Sequence, residues 1–345
     1  MADQPYRRLP KRAYWERAIA TDAPGIYPDL YQKRFEVAPE HRIATAGSCF
    51  AQHIARNLGQ NDFTVLDLEP APRGLSEAQA QAYGYKLYSA RFGNIYLVRQ
   101  LLQLAQEAFG SFTPEDAVWV KGARFYDALR PSVEPSGLNT VQEVELHRKE
   151  HLSRVRKMLK TADIFVFTMG LTEGWVHKSS GTVYPLAPGV LAGAYDPDKV
   201  GFRNFGFNEI YEDFVAFRAM IKAVNPDIRF ILTVSPVPLK ATVSGNHALT
   251  ANLYSKSVLR AVAGALFEAF PDIDYFPSYE IIASSASEGR FFDETKRGVT
   301  AEGVATAMRT FFEQHKPPSV PVMKTKAKRA GALVCEEELL GAFAS

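Results

Sequence analysis

The sequence has little cysteine and no long apolar run, and these two absences exclude several classes of protein. Cys49 and Cys335 are the only cysteines in 345 residues, too few for a disulfide framework and without the spacing of a zinc site. No uninterrupted apolar stretch approaches ~18 residues, the length that suggests a membrane-spanning helix. We therefore expect a cytoplasmic protein in a reducing compartment, without stable membrane insertion.

An excess of charge of one sign is also missing. Lysine and arginine number 40 against 38 acidic residues, which gives a net charge of +2, so no strong field attracts nucleic acid and no nucleic-acid partner is expected. The phosphate-loop pattern G-x-x-x-x-G-K-[ST] and the zinc pattern H-E-x-x-H are absent, and no metal or other cofactor is expected. The oligomeric state stays open.

Strand-like and helix-like segments alternate along the middle of the chain. Apolar runs at 42–47, 164–167 and 229–234 are interleaved with helix-periodic segments, a pattern typical of an α/β fold with a mainly parallel, flavodoxin-like sheet covered on both faces. The first helix is expected to end at Gly59 in a left-handed cap. Later helices are expected at 95–110, 140–160, 208–223, 251–270 and 300–315, with Thr300 as the last N-cap.

The pattern favours one domain flanked by irregular ends. Residues 40–315 hold the alternating segments, interrupted at about 111–140 by an insertion with hairpin or loop character. Residues 1–39 are rich in Pro, Arg and Tyr and are interpreted as an irregular arm. Residues 316–345 contain prolines and a KTKAKR charge run and are interpreted as a flexible tail.

Ser48 is the first candidate for chemistry. It lies between a short apolar run and an amphipathic helix, which would place its hydroxyl at the carboxyl end of a parallel strand, where such sheets bind ligands. Backbone N–H groups at the start of the helix would lie close to a developing oxyanion. A serine in this position also commonly serves as an N-cap. Cys49 competes for the nucleophilic role, or is a small buried apolar residue.

The segment GSCFAQHIARNL at 47–58 resembles the signature of the GSCFA domain family, which is similar to the wider SGNH/GDSL hydrolase superfamily. The resemblance continues in order through YSARFGNIYLVRQLL, FTMGLTEGW, LTVSPVPL, NLYSKSVLRAV and FPSYEII, and covers roughly residues 40–315. It implies a three-layer α/β/α sandwich and an ester hydrolase that uses a serine nucleophile.

The resemblance also implies roles for individual residues. Ser48 matches the nucleophile, and Gly93 matches the second-block glycine whose N–H joins that of Ser48 in an oxyanion hole. Thr172 takes the place of the asparagine donor in the third block, where G-L-T-E replaces G-x-N-D. Asn94 follows Gly93 and is expected to orient that loop and contact the substrate.

The block that should supply the base departs from the superfamily pattern. No histidine occurs in FFDETKRGVTAEGV, and Gly298 stands at the expected place, with Asp293 nearby. Among the seven histidines, His247 follows a predicted strand and is the first choice for general base. His177 is the second choice. Glu173 is expected to act as a base, orient a histidine or bind a polar substrate group, unless it only holds its own loop.

Further residues are expected to line the cleft. Trp175 and His177 follow the third block and suit stacking on or hydrogen bonding to a sugar, in agreement with the carbohydrate context that the resemblance implies. Tyr279 follows another predicted strand end and is a weaker candidate for the same role.

Three hypotheses on function follow. The first is a serine-dependent esterase or O-acyltransferase acting on acyl esters, in particular acetyl esters, of a carbohydrate or polysaccharide precursor. The second is a non-catalytic carbohydrate-binding or assembly protein that keeps a hydrolase fold, motivated by the missing histidine. The third is a thiol enzyme that uses Cys49.

Overall fold

The computed structural model of the chain describes residues 5–19, 27–315 and 334–343. The strands are β1 (Ile43–Gly47), β2 (Val118–Lys121), β3 (Arg124–Asp127), β4 (Ile164–Met169), β5 (Glu173–His177), β6 (Val183–Tyr184), β7 (Val200–Asn204), β8 (Arg229–Val234) and β9 (Ile273–Tyr275). The helices are α1 (Trp15–Ala18), α2 (Phe50–Gln60), α3 (Glu77–Ala82), α4 (Val98–Ala108), α5 (Val141–Thr161), α6 (Phe207–Val224), α7 (Ala248–Ala269), α8 (Ser278–Ala283) and α9 (Ala301–His315). Short 3-10 helices occupy Lys11–Ala13, Ser285–Ser287 and Glu336–Phe343.

Four parallel strands form the central sheet in the order β1-β4-β8-β9. Val65 adds a parallel bridge to Ile43 at the outer edge of β1, which completes the strand order of flavodoxin-like folds. Helices α4, α5, α6 and α7 cover one face of the sheet, and α2, α8 and α9 cover the other. The predicted three-layer α/β/α sandwich is confirmed.

The strand β4 shows why this sheet is apolar on both faces. Its alternate residues Phe165 and Phe167 belong to one core cluster, while Ile164 and Val166 belong to the other. Successive side chains of a strand point to opposite faces, so a strand between two helical layers needs an unbroken apolar run. Complete burial of each such side chain stabilises the fold by about 1.5–3 kcal/mol.

A second, smaller sheet follows the central strand β4. Its order is β6-β5-β7 with antiparallel pairing, and it begins at Glu173, in a segment that the sequence pattern indicated only as a loop. The expected insertion contains the antiparallel hairpin β2–β3. Trp119 and Tyr126 of the hairpin share a small apolar cluster with Tyr184 of β6, so the insertion packs against the second sheet.

The helices predicted from periodicity are present with boundaries shifted by a few residues. Thr300 accepts a hydrogen bond from the Gly303 N–H at 3.2 Å, as expected of the N-cap of α9. The predicted end of α2 was wrong, because Gly59 lies within the helix, which continues to Gln60 and is followed by Asn61 at a φ of −114°. The left-handed residue is Asp62, three positions later, with a φ of +65°, and the Phe63 N–H closes the helix on the Leu58 carbonyl at 3.1 Å.

Both flanking segments contact the domain where they are described. In the N-terminal arm, Tyr31 is buried and its hydroxyl donates to Asp274 of β9 at 2.9 Å. The expected flexible tail is described only over 334–343, and there Glu336 and Glu337 are buried at the carboxyl edge of the central sheet. This part of the tail is held by hydrogen bonds and ion pairs, while 316–333 lie outside the described residues.

The turn between β1 and α2 depends on a glycine. Gly47 has a φ of +133°, and a Cβ added to it would lie 2.4 Å from the Thr168 carbonyl oxygen of β4. This turn positions Ser48, so its geometry must be kept for any activity that the serine supports.

We predict that Gly47→Ala lowers the free energy of unfolding by about 2–4 kcal/mol, because the new methyl group collides with backbone and the left-handed conformation is strained. The matched control is Gly59→Ala in α2, where a Cβ meets nothing within 4 Å and alanine should add about 0.5–1 kcal/mol as a better helix former. Urea unfolding of both variants measures the difference. Equal stabilities would contradict the steric argument.

Candidate active site

Ser48 lies at the carboxyl end of β1, buried to 3% exposure. Its hydroxyl has no hydrogen-bond partner among the described residues, so it does not serve as the N-cap of α2. Its backbone N–H donates to the Thr168 carbonyl at 3.1 Å. The expected contribution of this N–H to an oxyanion hole therefore finds no support, because the sheet already uses the donor.

Gly170 brings Ser48 and Lys256 to one place. A Cβ on Gly170 would lie 2.9 Å from the Ser48 Cβ. The loop after β4 therefore comes so close to the serine that only glycine fits at position 170. The Gly170 carbonyl accepts a hydrogen bond from Lys256 Nζ at 2.7 Å. Lys256 projects from α7 and is 1% exposed. Burial lowers its pKa to about 8, against the opposing effect of Glu337, so a neutral amine is accessible near neutral pH.

A group of hydrogen-bond donors beside Gly93 holds a carboxylate. The Asn94 backbone N–H donates to Glu336 at 3.4 Å, and the Asn94 side-chain amide donates to the other oxygen of the same carboxylate. The hydroxyl groups of Tyr96 and Ser132 also donate to Glu336. A Cβ on Gly93 would lie 3.1 Å from this carboxylate. The group, which we call the carboxylate cradle, is thus able to hold a negatively charged oxygen.

Two basic residues, Lys240 and Arg297, bind the two glutamates that follow Glu336 in the described part of the C-terminal tail. Glu337 accepts from the Lys240 backbone N–H at 3.1 Å and from Arg297 at 3.0 Å. Glu338 pairs with Lys240 Nζ at 2.9 Å and with the Arg297 guanidinium. Burial raises the pKa of Glu337, while Arg297 acts to lower it. The carboxyl edge of the sheet therefore carries positive charge that acidic groups neutralise.

Cys49 contacts the same part of the tail through Cys335. It is buried, and a hydrogen bond with Cys335 together with burial raises the pKa of its thiol. Both cysteines are unpaired thiols. A raised pKa opposes formation of the thiolate that a cysteine nucleophile needs, which disfavours the thiol-enzyme hypothesis. His53 lines the same cleft one turn further along α2, and burial lowers its pKa to about 4.

The place of the missing histidine is occupied by a turn. Asp293 accepts hydrogen bonds from the backbone N–H groups of Thr295 and Gly298, and these bonds, with that from the Thr295 hydroxyl, lower its pKa. A Cβ on Gly298 would lie 2.0 Å from the Asp293 carboxylate, so another residue at 298 would require Asp293 to move. Arg297 of this turn reaches Glu337 and Cys335 instead.

Glu173 and Trp175 line an apolar groove that Glu337 also borders. The groove also contains Tyr195 and Phe202, whose rings pack edge-on against Trp175. Glu173 accepts a hydrogen bond from the Thr242 hydroxyl at 2.9 Å, and burial raises its pKa. Aromatic walls with one carboxylate suit a partly apolar substrate that carries hydroxyl groups.

The structure does not bring His247 into hydrogen-bond contact with Ser48. His247 is exposed at the start of α7, where its Nδ1 accepts from the Leu249 N–H at 3.1 Å. The Thr172 hydroxyl is buried without a partner among the described residues, so it remains free to donate, although it does not bond Ser48.

The remaining predicted residues have partners other than the serine. His177 Nδ1 bonds the hydroxyl groups of Ser179 and Ser180, and its Nε2 lies 3.6 Å from Asp116. Tyr279 lies on α8 against the core, and burial raises its pKa. Neither forms a hydrogen bond with the Ser48 hydroxyl.

Sequence reasoning missed Lys256, the cradle residues Tyr96 and Ser132, and the role of Arg297. One signal for Lys256 was present. Leu259 and Ala263 follow it at helix spacing on the apolar face of α7, and a lysine on such a face must bury its amine. Ser132 and Arg297 had no comparable signal, because they lie in irregular segments whose placement depends on the whole fold.

No helix among the described residues is both long and apolar enough to cross a bilayer. No group of three or more histidine, cysteine, aspartate or glutamate side chains within the described ranges is arranged to hold a metal ion.

The fold and the cleft define an α/β/α sandwich protein with a buried serine, a lysine and a carboxylate-binding cradle at the carboxyl edge of its parallel sheet. A comparison with protein-family models matches residues 42–311 to the GSCFA family. The chain therefore belongs to the GSCFA family. No curated protein matches the chain, and no solved structure matches it.

The low pKa of Lys256 makes a prediction about stability and pH. Its folded pKa of about 8 lies below the ordinary value of 10.5, so the unfolded chain binds more protons between these values and stability increases as pH rises through this range. Lys256→Met removes the effect. Between pH 7 and pH 10 the free energy of unfolding of the wild type should gain about 2 kcal/mol relative to the variant.

Urea unfolding at the two pH values measures this gain. The control is Lys149→Met on the exposed side of α5, for which the difference from the wild type should not change with pH. A constant difference for Lys256→Met as well would show that its amine titrates normally.

Proposed function

We propose that this GSCFA-family protein is a serine-dependent esterase or O-acyltransferase, with Ser48 as nucleophile and Lys256 as general base. The observation that carries the proposal is the buried, unpaired Ser48 hydroxyl, which shares its neighbour Gly170 with a lysine whose pKa is about 8. A buried hydroxyl without a partner costs about 1–3 kcal/mol, a cost that a catalytic group can justify. The likeness of the sequence motifs to SGNH/GDSL hydrolases supports the same reaction class.

Lys256 supplies the base that the sequence lacks at position 298. As a neutral amine it keeps its hydrogen bond to the Gly170 carbonyl and offers its lone pair to the Ser48 proton. At pH 7 about a tenth of a group with a pKa of 8 is neutral. Hydrogen bonds of catalytic groups often tighten only when substrate binds, so the absence of a Ser48–Lys256 bond in the free protein does not conflict with this role.

The reaction would proceed in two steps. Ser48 Oγ attacks the acyl carbonyl and gives its proton to Lys256, and the oxyanion accepts hydrogen bonds from the Asn94 N–H and side-chain amide. The tetrahedral intermediate collapses, Lys256 returns the proton to the departing alcohol, and the acyl group remains on Ser48. Water or a second hydroxyl then attacks the acyl group, Lys256 takes its proton, and Ser48 leaves with that proton.

We propose an acetylated carbohydrate or polysaccharide precursor as the substrate. The aromatic groove around Trp175 and Tyr195 supports a sugar on the Glu173 side of the cleft, because sugar rings stack on aromatic side chains. Thr172, with its free hydroxyl, is the proposed additional oxyanion donor.

A carbohydrate-binding protein without catalysis is the second candidate. The absence of a hydrogen-bonded base at Ser48 among the described residues favours it, as does glycine at position 298. The two candidates differ in whether Ser48 is reactive.

Labelling with a fluorophosphonate distinguishes the two candidates. We predict covalent modification at Ser48, lost in Ser48→Ala and kept in the control Cys49→Ser. Lys256→Met should slow labelling by about 100-fold or more, the usual contribution of a general base, while His247→Ala should stay within about twofold of the wild type. The opposite result for these two variants would assign the base to His247, and no labelling at all would favour the binding protein.

The pH dependence of turnover identifies the base independently. With p-nitrophenyl acetate, kcat/KM of the wild type should rise about tenfold per pH unit below pH 8 and level off above it, because only the neutral Lys256 amine accepts a proton. A profile that levels off near the ordinary histidine pKa of about 6.5 would exclude Lys256 as the base.

A further inference from the structure

Residues 334–343, which we call the acidic segment, enter the candidate active site as a ligand would. The Val334 N–H donates to the Gln52 side chain at 3.1 Å, and the Val334 carbonyl accepts from Gln52 at 2.7 Å and from Asn94 at 3.0 Å. The side chains of Gln52 and Asn94 thus hold the backbone of the segment by hydrogen bonds. Cys335 follows and contacts Cys49, the neighbour of Ser48 in the sequence.

The next three residues are glutamates, and hydrogen-bond donors of the domain bind each of their three carboxylates. Glu336 occupies the carboxylate cradle, Glu337 lies between Lys240 and Arg297, and Glu338 pairs with the same two residues nearer the surface. Glu336 and Glu337 are 3% and 7% exposed. Buried carboxylates are costly unless they are compensated; Glu336 accepts hydrogen bonds from neutral donors, and Glu337 also forms an ion pair with Arg297.

The same donors have a second possible occupant. In the proposed reaction, the Asn94 N–H and side-chain amide bind the oxyanion of the acyl intermediate, and in the structure they bind the two oxygens of the Glu336 carboxylate. A carboxylate and a tetrahedral oxyanion both place negative oxygen at this point, so the two cannot be bound together. The Glu337 side chain also borders the apolar groove, together with Leu340 and Phe343 of the segment.

We propose that the cleft beside Ser48 is a carboxylate-binding site and that the acidic segment is its intramolecular ligand, which must leave before a substrate reaches the serine. The inhibitory effect rests on the proposed function, whereas the binding does not. Because the segment is covalently attached, its effective concentration is on the order of millimolar, and a free carboxylate ligand displaces it only at comparable concentration or with higher affinity.

The first test measures docking in the full chain, without reference to catalysis. In Glu336→Gln/Glu337→Gln, two charge-assisted contacts are lost, and alkylation of Cys335 by iodoacetamide, followed by mass spectrometry, should accelerate about tenfold or more. The matched control is Glu145→Gln/Glu268→Gln, two exposed helix glutamates, and it should react at the wild-type rate. Equal rates in all three proteins would overturn the proposal.

A synthetic peptide provides the second test. The probe is residues 334–343 with Cys335→Ser, carrying a fluorophore. It should bind Glu336→Gln/Glu337→Gln, whose own segment is weakened, at least about tenfold more tightly than the wild type. Adding Arg297→Gln to that variant should abolish binding, because Arg297 pairs with two of the three carboxylates. Failure to bind the weakened variant would contradict the proposal.

If Glu336→Gln/Glu337→Gln does not fold, the same question can be tested in the wild type. Millimolar peptide should displace the native segment and accelerate alkylation of Cys335, and a peptide with glutamine at all three acidic positions should not. Equal effects of the two peptides would show that carboxylates are not recognised.

The rate of Ser48 labelling measures whether the docked segment inhibits the proposed reaction. In the weakened variant, fluorophosphonate labelling of Ser48 should be about tenfold faster than in the wild type, and the peptide should slow it again. If the peptide binds as predicted but Ser48 is never labelled in any protein, the carboxylate site is supported and the serine-hydrolase function is what fails. If Ser48 is labelled equally fast in both proteins, the inhibitory role is overturned.

Discussion

The close approach of the loop after β4 to the turn after β1 is the constraint on which the rest of the cleft depends. Gly47 and Gly170 have no side chains, and this lets the Ser48 backbone bond Thr168 while the Gly170 carbonyl turns toward Lys256. A methyl group at either glycine would separate the two strand ends. The serine, the lysine and the carboxylate cradle share one edge because the backbone permits this contact.

Periodicity and turn residues were sufficient to predict the sandwich, because an apolar run between two helical segments has few other folds available. The same reasoning placed Ser48 at the carboxyl edge of the sheet, whereas Gly93 and Asn94 were assigned to the site only by the resemblance to the SGNH/GDSL hydrolases. It did not find the sheet formed by β5, β6 and β7, because β5 and β7 mix glycine and polar residues with apolar ones and β6 has only two residues. Strand propensity is weak in such segments, and cross-strand packing decides.

The low pKa of Lys256 and the charges that bind the tail were not predicted from the sequence, because both depend on residues that only the fold brings together. Lys256 is distinguished by its burial, and the value of its pKa depends on Glu337 and Cys49, residues far from it in the chain. A tail with a basic run and prolines predicts a solvated segment on composition alone. Only the folded domain shows that Arg297 and Lys240 attract its acidic end.

Tyr31 has a consequence for where this domain can be cut. Its hydroxyl bonds both Asp274 of β9 and His315 at the end of α9, and the Arg34 N–H donates to the same aspartate. The family match begins only at residue 42. A fragment trimmed to that match would therefore leave one oxygen of the buried Asp274 carboxylate without its two donors, while the other oxygen keeps the Tyr275 N–H. The part of the arm around Tyr31 and Arg34 thus belongs with the domain although it lies outside the family boundary.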